Sequence, residues 1–456
     1  MATPLTEGTP WRVIGAFTVP LVLGNIIQQA YQLADTIVVG RFLGVLPLAS
    51  VGATGVLLFL VIGFSFGMTS GLTIPLSQAY GAQDQVAVRR SVAAGTLVSV
   101  ALTVILTVIG TVLLKPLLLL LRTPAEIMDD AVSYGLVFFS VTFAIVAFNY
   151  LSAIIRAVGD SRTPLVFLAI ASALNIVLDV VLIAGLGMGV EGAAYATAVA
   201  EVISALLCLW WIRIRFPVFH LRREDWRVTR AELRHHLRMG LPLGFNMSII
   251  AIGVVAVQLR LNGLGSEAIA AFTTAIRIDG LANSTLSSIG LAVSTYAAQN
   301  FGARRVDRVR VGVRQGNVLA VVTSLVLALL LVPTAVPLSR VFVGDGSEQV
   351  VSLSAQAVIM FSLTYWILGI LYVLRGVLQG LGKMRAPFYS GLAELVMRVV
   401  VAIWLGDVLG YLGVCASEPL AWVGAVALLV PAYRRTRRRL LEVDPPGERA
   451  ARPATA

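Results

Sequence analysis

The sequence predicts an all-α integral membrane protein with twelve transmembrane helices, arranged as two six-helix bundles related by a pseudo-twofold axis along the membrane normal. Three observations indicate this fold class: an apolar composition, apolar stretches of membrane-spanning length, and an internal repeat. Of the 456 residues, 58% are hydrophobic and 13% are charged, whereas soluble domains carry about 25% charged residues. We therefore expect lipid to surround most of the chain.

The apolar stretches between charged or glycine-rich breaks are long enough to cross a bilayer, because a transmembrane helix needs about 20 mainly apolar residues. The first stretch is too long for the hydrophobic region of a signal peptide, and we expect it to stay in the mature protein. The predicted spans lie near residues 13–38, 48–74, 91–120, 131–155, 164–186, 190–212, 239–261, 267–297, 315–339, 350–374, 387–409 and 412–433.

The loops between these stretches alternate in charge. Arginines follow every second span, beginning with Arg89 and Arg90, whereas the opposite loops carry acids such as Glu126 and Glu267. Basic loops stay on the cytoplasmic side. The sequence therefore predicts a multi-pass protein of the plasma membrane with both termini in the cytoplasm. Topology also explains the net charge of +11, so no nucleic-acid partner is expected.

The two halves of the chain match at a constant offset, since Gln78–Ala82 corresponds to Gln299–Ala303, an offset of 221 residues. Gly159 and Gly380 match at the same offset. Several matches at one offset indicate a duplicated six-helix unit. Two prolines also lie at similar places near the start of the first helix of each half, where proline permits bending or fits the first turn. These are Pro20 and Pro242.

The duplication divides the chain into four predicted segments. Because six is an even number, both six-helix lobes enter the membrane in the same direction, and two such bundles can expose a central cleft to either side in turn. The segments are an N-terminal lobe at 1–212, a cytoplasmic linker at 213–238, a C-terminal lobe at 239–433, and a basic cytoplasmic tail at 434–456 that is disordered at its end.

Polar residues inside the apolar stretches of the N-terminal lobe are the candidates for a cation site. A charge at the bilayer centre costs about 2.5–3.5 kcal/mol on insertion scales, so such residues usually face a cavity or a partner. Desolvation and mutual repulsion favour the protonated form of two nearby acids, which suits H⁺, whereas oxygen ligands suit Na⁺. Helix packing is the alternative for the uncharged members. The predicted cation-coupling residues are Asp35, Asp179, Asn175, Asn149 and Thr197, and a Na⁺ site would use Asp35, Asn175, Asp179 and Thr197.

Other residues leave two interpretations open. Glu394 and Arg398 are four residues apart in the C-terminal lobe, so they either pair on one helix face or act in gating or substrate contact. Glu201 either caps or pairs near its helix end or has a functional role, and for Ser152 helix packing is the simpler interpretation.

A substrate cavity for flat organic cations is predicted from four residues, for which packing is the alternative. These are Tyr31, Gln32, Phe64 and Met68.

Motifs of several enzyme classes are missing from the sequence. It contains neither a GxxxxGK[ST] phosphate loop nor an HExxH zinc motif. Its two cysteines lie in different apolar stretches, and its three histidines lie in one basic loop, so no metal-site spacing occurs. We expect no enzyme activity, and no cofactor apart from a coupling ion.

A series of short motifs in order along the chain resembles the MATE (multidrug and toxic compound extrusion) family. The motifs are Asp35-Thr36, Gly40-Arg41-Phe42-Leu43-Gly44, Gln78-Ala79-Tyr80-Gly81-Ala82, Arg156-Ala157-Val158-Gly159-Asp160-Ser161-Arg162-Thr163-Pro164, Leu174-Asn175-Ile176-Val177-Leu178-Asp179 and Gly192-Ala193-Ala194-Tyr195-Ala196-Thr197. The resemblance spans nearly the whole chain. It implies a V-shaped pair of six-helix lobes that exports drugs or metabolites against H⁺ or Na⁺.

The resemblance also implies roles for particular residues. In DinF-like and related prokaryotic members, the acid that corresponds to Asp35 is a coupling residue. Family members often carry Asn where this chain has Ser152, and some place coupling acids in the seventh and eighth helices. Here the stretch around Ala256 is apolar, so that C-lobe cation site is not expected. The family's N-lobe polar cluster corresponds to Asn149, Asn175, Asp179 and Thr197.

The expected function is secondary-active antiport by alternating access, in which small organic, often cationic, drugs or metabolites are exported in exchange for H⁺ or Na⁺. The alternative is a flippase for a lipid-linked substrate of the same superfamily, although flippases tend to have more spans or a strongly cationic cavity. A channel or a structural membrane protein is a third class, against which the duplicated halves argue. The expected partners are a small-molecule substrate and the lipid bilayer, and the protein is expected to be a monomer.

Overall fold

The computed structural model describes residues 5–344 and 347–443, and these residues form helices joined by short connections, with no β-strand among them. The end of the tail, predicted to be disordered, lies outside the described residues. The helices of the first half are α1 (Pro10–Phe42), α2 (Val45–Leu72), α3 (Ile74–Gly81), α4 (Gln85–Leu120), α5 (Ala125–Ser140), α6 (Thr142–Ala157), α7 (Arg162–Asp179) and α8 (Val190–Arg215). Those of the second half are α9 (Arg230–Asn262), α10 (Ser266–Gly302), α11 (Val306–Val343), α12 (Glu348–Gly380), α13 (Arg385–Leu409), α14 (Tyr411–Cys415) and α15 (Ser417–Val443).

The all-α membrane fold is confirmed, but the count of twelve spans stays a prediction. Among the described residues, nine helices are long and apolar enough to cross a membrane, and ten if the bent pair α5 and α6 forms one span. Those two helices meet at an angle of 46°. The two further predicted spans coincide with α10 and α13, which carry buried charged residues such as Asp279 and Glu394.

The described residues form two compact units that divide the first helix of each half. The first unit holds residues 19–80 and 84–247, and the second holds 5–18, 81–83 and 248–443. Helix α1 therefore begins in the second unit and continues in the first, while α9 begins in the first and continues in the second. The domain boundaries at 212 and 238 stay a prediction.

The segment that precedes α1 is held in the second unit by hydrogen bonds. The backbone N–H of Leu5 donates to Gln299 Oε1 at 3.0 Å, and Asn300 Nδ2 donates to the carbonyl of Leu5 at 3.1 Å. Arg305 donates to the carbonyl of Thr6 at 2.7 Å. These bonds attach the beginning of the chain to the turn between α10 and α11.

The linker residues at 213–238 pack within the first unit, against α4. Arg89 Nε lies 3.2 Å from Asp225 Oδ2, and Ser91 Oγ lies 2.9 Å from His236 Nε2. Asp225 and His236 are both buried. Since a buried charge needs a partner, the ion pair explains how this charged segment folds back onto a helix.

Small residues allow helices to approach closely in both units. An added Cβ atom on Gly71 of α2 would overlap the backbone of Met239 in α9, and one on Gly376 of α12 would overlap the carbonyl of Gly290 in α10. Without a hydrophobic driving force between helices in lipid, such close backbone packing is a main source of association. These glycines therefore allow close packing of α2 on α9 in the first unit and of α10 on α12 in the second.

Candidate cation site of the first unit

Asn175 and Asp179 lie one turn apart on α7, just before that helix changes into a π-helical turn at Val180–Gly185. Both side chains are buried. The Asn175 amide nitrogen lies 3.3 Å from Thr197 Oγ1 on α8. With the amide turned over, its nitrogen donates to Asp179 Oδ2 at 3.2 Å and its oxygen accepts from the Thr197 N–H at 3.2 Å. We assign this second orientation because it satisfies both amide atoms, so Asn175 links Asp179 to α8.

Asp35 on α1 belongs to the same group of residues. It is half-buried, and it lies within electrostatic range of Asp179. In each of these two carboxylates Oδ1 is sealed from solvent and has no hydrogen-bond partner in the part of the chain that the structure describes. We call Asp35, Asn175, Asp179 and Thr197 the acidic cluster. Its two carboxylates each offer one buried oxygen to a proton or a cation.

Two tyrosines border the acidic cluster. Tyr31 precedes Asp35 by one helical turn and is within electrostatic range of both carboxylates. Tyr134, on α5, is buried and lies within range of the same two acids. Residues from α1, α5, α7 and α8 therefore surround one polar region of the first unit.

The acidic cluster contains two carboxylates beside the amide of Asn175 and the hydroxyl of Thr197. Within residues 5–344 and 347–443, no three or more His, Cys, Asp or Glu side chains come together as a metal site. A Na⁺ ion would therefore need the neutral oxygens of Asn175 and Thr197 beside the two carboxylates. A proton would need the carboxylates alone.

The two α6 candidates occupy different surroundings. Asn149 is half-buried, and no hydrogen bond between described residues joins it to either carboxylate of the acidic cluster. Ser152 is buried, and its Oγ lies 3.7 Å from Cys208 Sγ on α8. The structure therefore brings Asp35, Asp179, Asn175 and Thr197 together, while Ser152 contacts α8 further along.

The four predicted cavity residues separate into two environments. Tyr31 lies beside the acids, and the neighbouring Gln32 is exposed. Phe64 packs edge-to-face on Phe245 with ring centroids 5.4 Å apart. Met68 is buried in the hydrophobic core formed by α2, α4, α6 and α8. Tyr31 is within electrostatic range of the acids, and the cavity role of the four residues stays a prediction.

Both halves of the chain match one known protein family. A family model described as MatE matches residues 20–181 and 242–404, which is more than half of the chain. The chain belongs to the MATE family. The model matches each half separately, as a duplicated six-helix unit predicts. Members of the family are transporters and not enzymes, which confirms the expectation from the sequence.

MATE relatives match along most of the chain. A probable multidrug resistance protein of Bacillus subtilis, YoeA, is 30% identical over 436 residues, which cover 93% of each chain. DNA damage-inducible protein F of Escherichia coli is 26% identical over 326 residues and 70% of each chain. A crystal structure of a MATE protein in the bent conformation has a TM-score of 0.90 at 24% identity, covering 96% of this chain and 98% of that one. The two-lobe helical fold is thereby confirmed.

In the C-terminal half of this MATE protein, the structure does not show the pair of Glu394 with Arg398 that was one of the two interpretations from the sequence. Glu394 and Arg398 do not hydrogen-bond to each other: Glu394 pairs with Arg375 of α12, and Arg398 donates to Glu418 of α15 at 2.6 Å. Arg375, Glu394 and Arg398 are buried, and the side chain of Glu418 is 12% exposed. A buried charge needs a hydrogen-bonded partner that packing holds in place, and here the neighbouring helices supply these partners. Each pair fastens α13 to an adjacent helix.

Glu201, on α8, is a further residue whose surroundings sequence reasoning did not anticipate. Its side chain is half-buried, and its Oε2 is sealed from solvent and finds no hydrogen-bond partner among the described residues. It lies within electrostatic range of Tyr31. The signal in the sequence is its spacing of four residues from Thr197, which places both on one face of the helix.

Proposed function

We propose that this MATE transporter is a secondary-active antiporter that exports small organic molecules, often cationic, in exchange for H⁺ or Na⁺. The observation that carries the proposal is the acidic cluster, in which Asp35 and Asp179 each keep one buried carboxylate oxygen without a hydrogen-bond partner among the described residues. Ionisable residues inside membrane-spanning helices cost free energy when they have no partner, and in transporters they usually mark the path of the transported ion. The name of the Bacillus subtilis relative, a probable multidrug resistance protein, supports an exported drug as the cargo.

Exchange follows from the charge of the acidic cluster. When both carboxylates are ionised they repel each other, and binding of H⁺, Na⁺ or an organic cation relieves that repulsion. One site that is neutralised by either ligand, but not by both at once, makes their binding mutually exclusive. A conformational preference of the neutralised state then couples the movement of one ligand to that of the other, since a ligand shifts an equilibrium by its differential affinity.

The membrane orientation belongs to the same proposal. The last turn of α6 carries Arg156 and the last turn of α8 carries Arg213 and Arg215. Basic helix ends stay on the cytoplasmic side. We therefore place these ends, together with both termini, on the cytoplasmic face of the plasma membrane, and we propose that a single chain is the transporting unit.

A flippase for a lipid-linked substrate gains no support from the first unit. A flippase of this kind tends to have a strongly cationic cavity. The buried polar atoms of the first unit include carboxylate oxygens of Asp35, Asp179 and Glu201. Anionic lipid headgroups would be repelled by such a region. Cation exchange fits its charge better.

The proposal is tested with proteoliposomes that contain a fluorescent organic cation, exposed separately to an imposed pH gradient and an imposed Na⁺ gradient. We expect one of the two gradients to drive accumulation against the concentration gradient, and Asp35→Asn to abolish that drive. Asp130→Asn is the matched control, because Asp130 is an exposed acid of α5. Transport that neither gradient drives, or that Asp35→Asn leaves unchanged, would contradict the proposal.

A further inference from the structure

Helix α8 carries a row of polar residues that begins at the acidic cluster and runs toward the basic end of the helix. The members are spaced by four, three and four residues, so they share one helix face. Over eleven residues the row extends about 16 Å at 1.5 Å per residue, which is about half the hydrocarbon thickness of a bilayer. The row consists of Thr197, Glu201, Ser204 and Cys208.

This polar row runs from the half-buried Thr197 and Glu201 to the buried Ser204 and Cys208, and two of its members have a polar atom without a hydrogen-bond partner among the described residues. Ser204 is buried, and its Oγ, like Glu201 Oε2, has no hydrogen-bond partner in the described part of the chain. Cys208 is fully buried and has a weak contact with Ser152 on α6. A carboxylate without a partner destabilises helix packing, so structural packing alone does not explain an acid at position 201.

The charges around Glu201 place it between the acidic cluster and the basic end. Tyr31 of α1 is within electrostatic range of Glu201 and of both cluster acids, and Cys208 is within range of Glu201 and Arg156. Helix α2 and the π-helical turn contribute no titratable side chain. The titratable groups joined to Glu201 through the electrostatic interactions of Tyr31, Tyr134 and Cys208 are Tyr31 and Asp35 on α1, Tyr134 on α5, Arg156 on α6, Asp179 on α7 and Cys208 on α8.

We propose that Glu201 is a proton relay that carries the coupling proton from the acidic cluster toward the basic end of α8. The inference rests on the proposed function with H⁺ as the coupling ion. The carboxylate of Glu201 takes up the proton that Asp35 or Asp179 releases, which restores the charge of the cluster. The resulting carboxyl group then passes the proton, by way of the Ser204 hydroxyl, to water at the basic end of the helix. Only O–H bonds form and break, and chains of acids serve as such relays in other transporters.

The test compares Glu201→Gln, which keeps the size of the side chain but cannot carry a proton, with the wild-type protein in proteoliposomes. Initial rates of pH-driven efflux are measured over a range of substrate concentrations, with a pH-sensitive dye reporting proton movement. We expect the maximal rate to fall about 10-fold or more, because positioned proton-transfer groups contribute at least that much. The KM for the substrate should stay within about twofold, and Glu201→Asp should restore most of the rate.

Glu191→Gln is the matched control, because Glu191 lies in the first turn of the same helix, at the opposite end from Arg215. A higher KM with an unchanged maximal rate in Glu201→Gln would show a substrate contact, and wild-type values of both would show a structural role. Either result overturns the relay. If Glu201→Gln does not fold, Ser204→Ala tests the same row, and an unchanged rate there overturns the proposal.

The failure of the relay is distinguishable from the failure of the proposed function. Loss of exchange in Asp35→Asn together with wild-type rates in Glu201→Gln would retain the antiporter and remove the relay. Unchanged exchange in Asp35→Asn would remove the coupling role on which both depend.

Discussion

Asp179 is fully buried at the end of α7, and one of its carboxylate oxygens has no hydrogen-bond partner among the described residues. Its spacing from Asn175 was readable in the sequence, because residues four apart share a helix face. The link from Asn175 to Thr197 was not, since spacing along one helix does not show which neighbouring helix faces it. The surroundings of Glu201 were not predicted for the same reason, because only the packing of α8 shows that its Oε2 has no hydrogen-bond partner among the described residues.

The first prediction at this scale concerns Asp35. Replacing it by Asn removes the titratable group while keeping the shape of the side chain. We expect Asp35→Asn to fold normally but to lose gradient-driven efflux, because one carboxylate alone no longer repels a neighbour that a cation must neutralise. Size-exclusion chromatography checks the fold and proteoliposome efflux checks the function. Gradient-driven efflux at the wild-type rate would contradict a coupling role.

The second prediction ranks two buried residues of the first unit. Asp179→Asn should weaken coupling more than Ser152→Ala, because Asp179 is an acid of the cluster whereas Ser152 contacts Cys208. The measurement is the amount of organic cation moved per imposed gradient for each variant. The reverse order would move the site toward α6.

At the scale of helices, α1 is shared by the two units, and the division falls between Thr18 and Val19. Pro20 is the second residue after this point, where it removes one backbone hydrogen bond of the helix and permits a bend. A bend there re-aims the part of α1 that carries Asp35. The proline was visible in the sequence, but the division of the helix between units depends on contacts of residues 5–18 that no local pattern encodes.

The third prediction tests the bend in α1. Pro20→Ala restores the missing backbone donor and should straighten the helix, so we expect slower turnover with unchanged substrate affinity. Pro116→Ala is the matched control, because Pro116 lies inside α4, which belongs entirely to the first unit. Wild-type turnover in Pro20→Ala would leave Pro20 as a residue of the helix start.

The fourth prediction concerns the ion pair between α13 and α15. Glu418→Leu leaves Arg398 buried without its partner, which should lower the free energy of unfolding by about 3–5 kcal/mol. The double change Arg398→Met with Glu418→Leu should recover most of that loss. Thermal unfolding in detergent measures both. The control is Glu348→Leu in the Arg340–Glu348 pair, whose side chains are 57% and 78% exposed and whose loss should cost about 0–1 kcal/mol. Equal destabilisation in both pairs would contradict the role of burial.

At the scale of the whole molecule, the duplication was the most informative feature of the sequence. The match of Gln78–Ala82 to Gln299–Ala303 predicted two related halves, and the MATE family model matches each half in turn. The spacing of Glu394 and Arg398 left a pair on one helix face as one of two interpretations, and the structure gives each of them a partner on another helix instead. Inside a unit, neighbouring helices supply the partners.

Movement of the coupling ion during export tests the central claim most directly, namely that Asp35 and Asp179 carry that ion. In proteoliposomes, a pH-sensitive dye and radioactive Na⁺ record which cation crosses the membrane when the organic cation is exported. In the wild-type protein, H⁺ or Na⁺ should move opposite to the substrate, and in the double variant Asp35→Asn with Asp179→Asn neither should move. Cation movement at the wild-type rate in the double variant would contradict the claim.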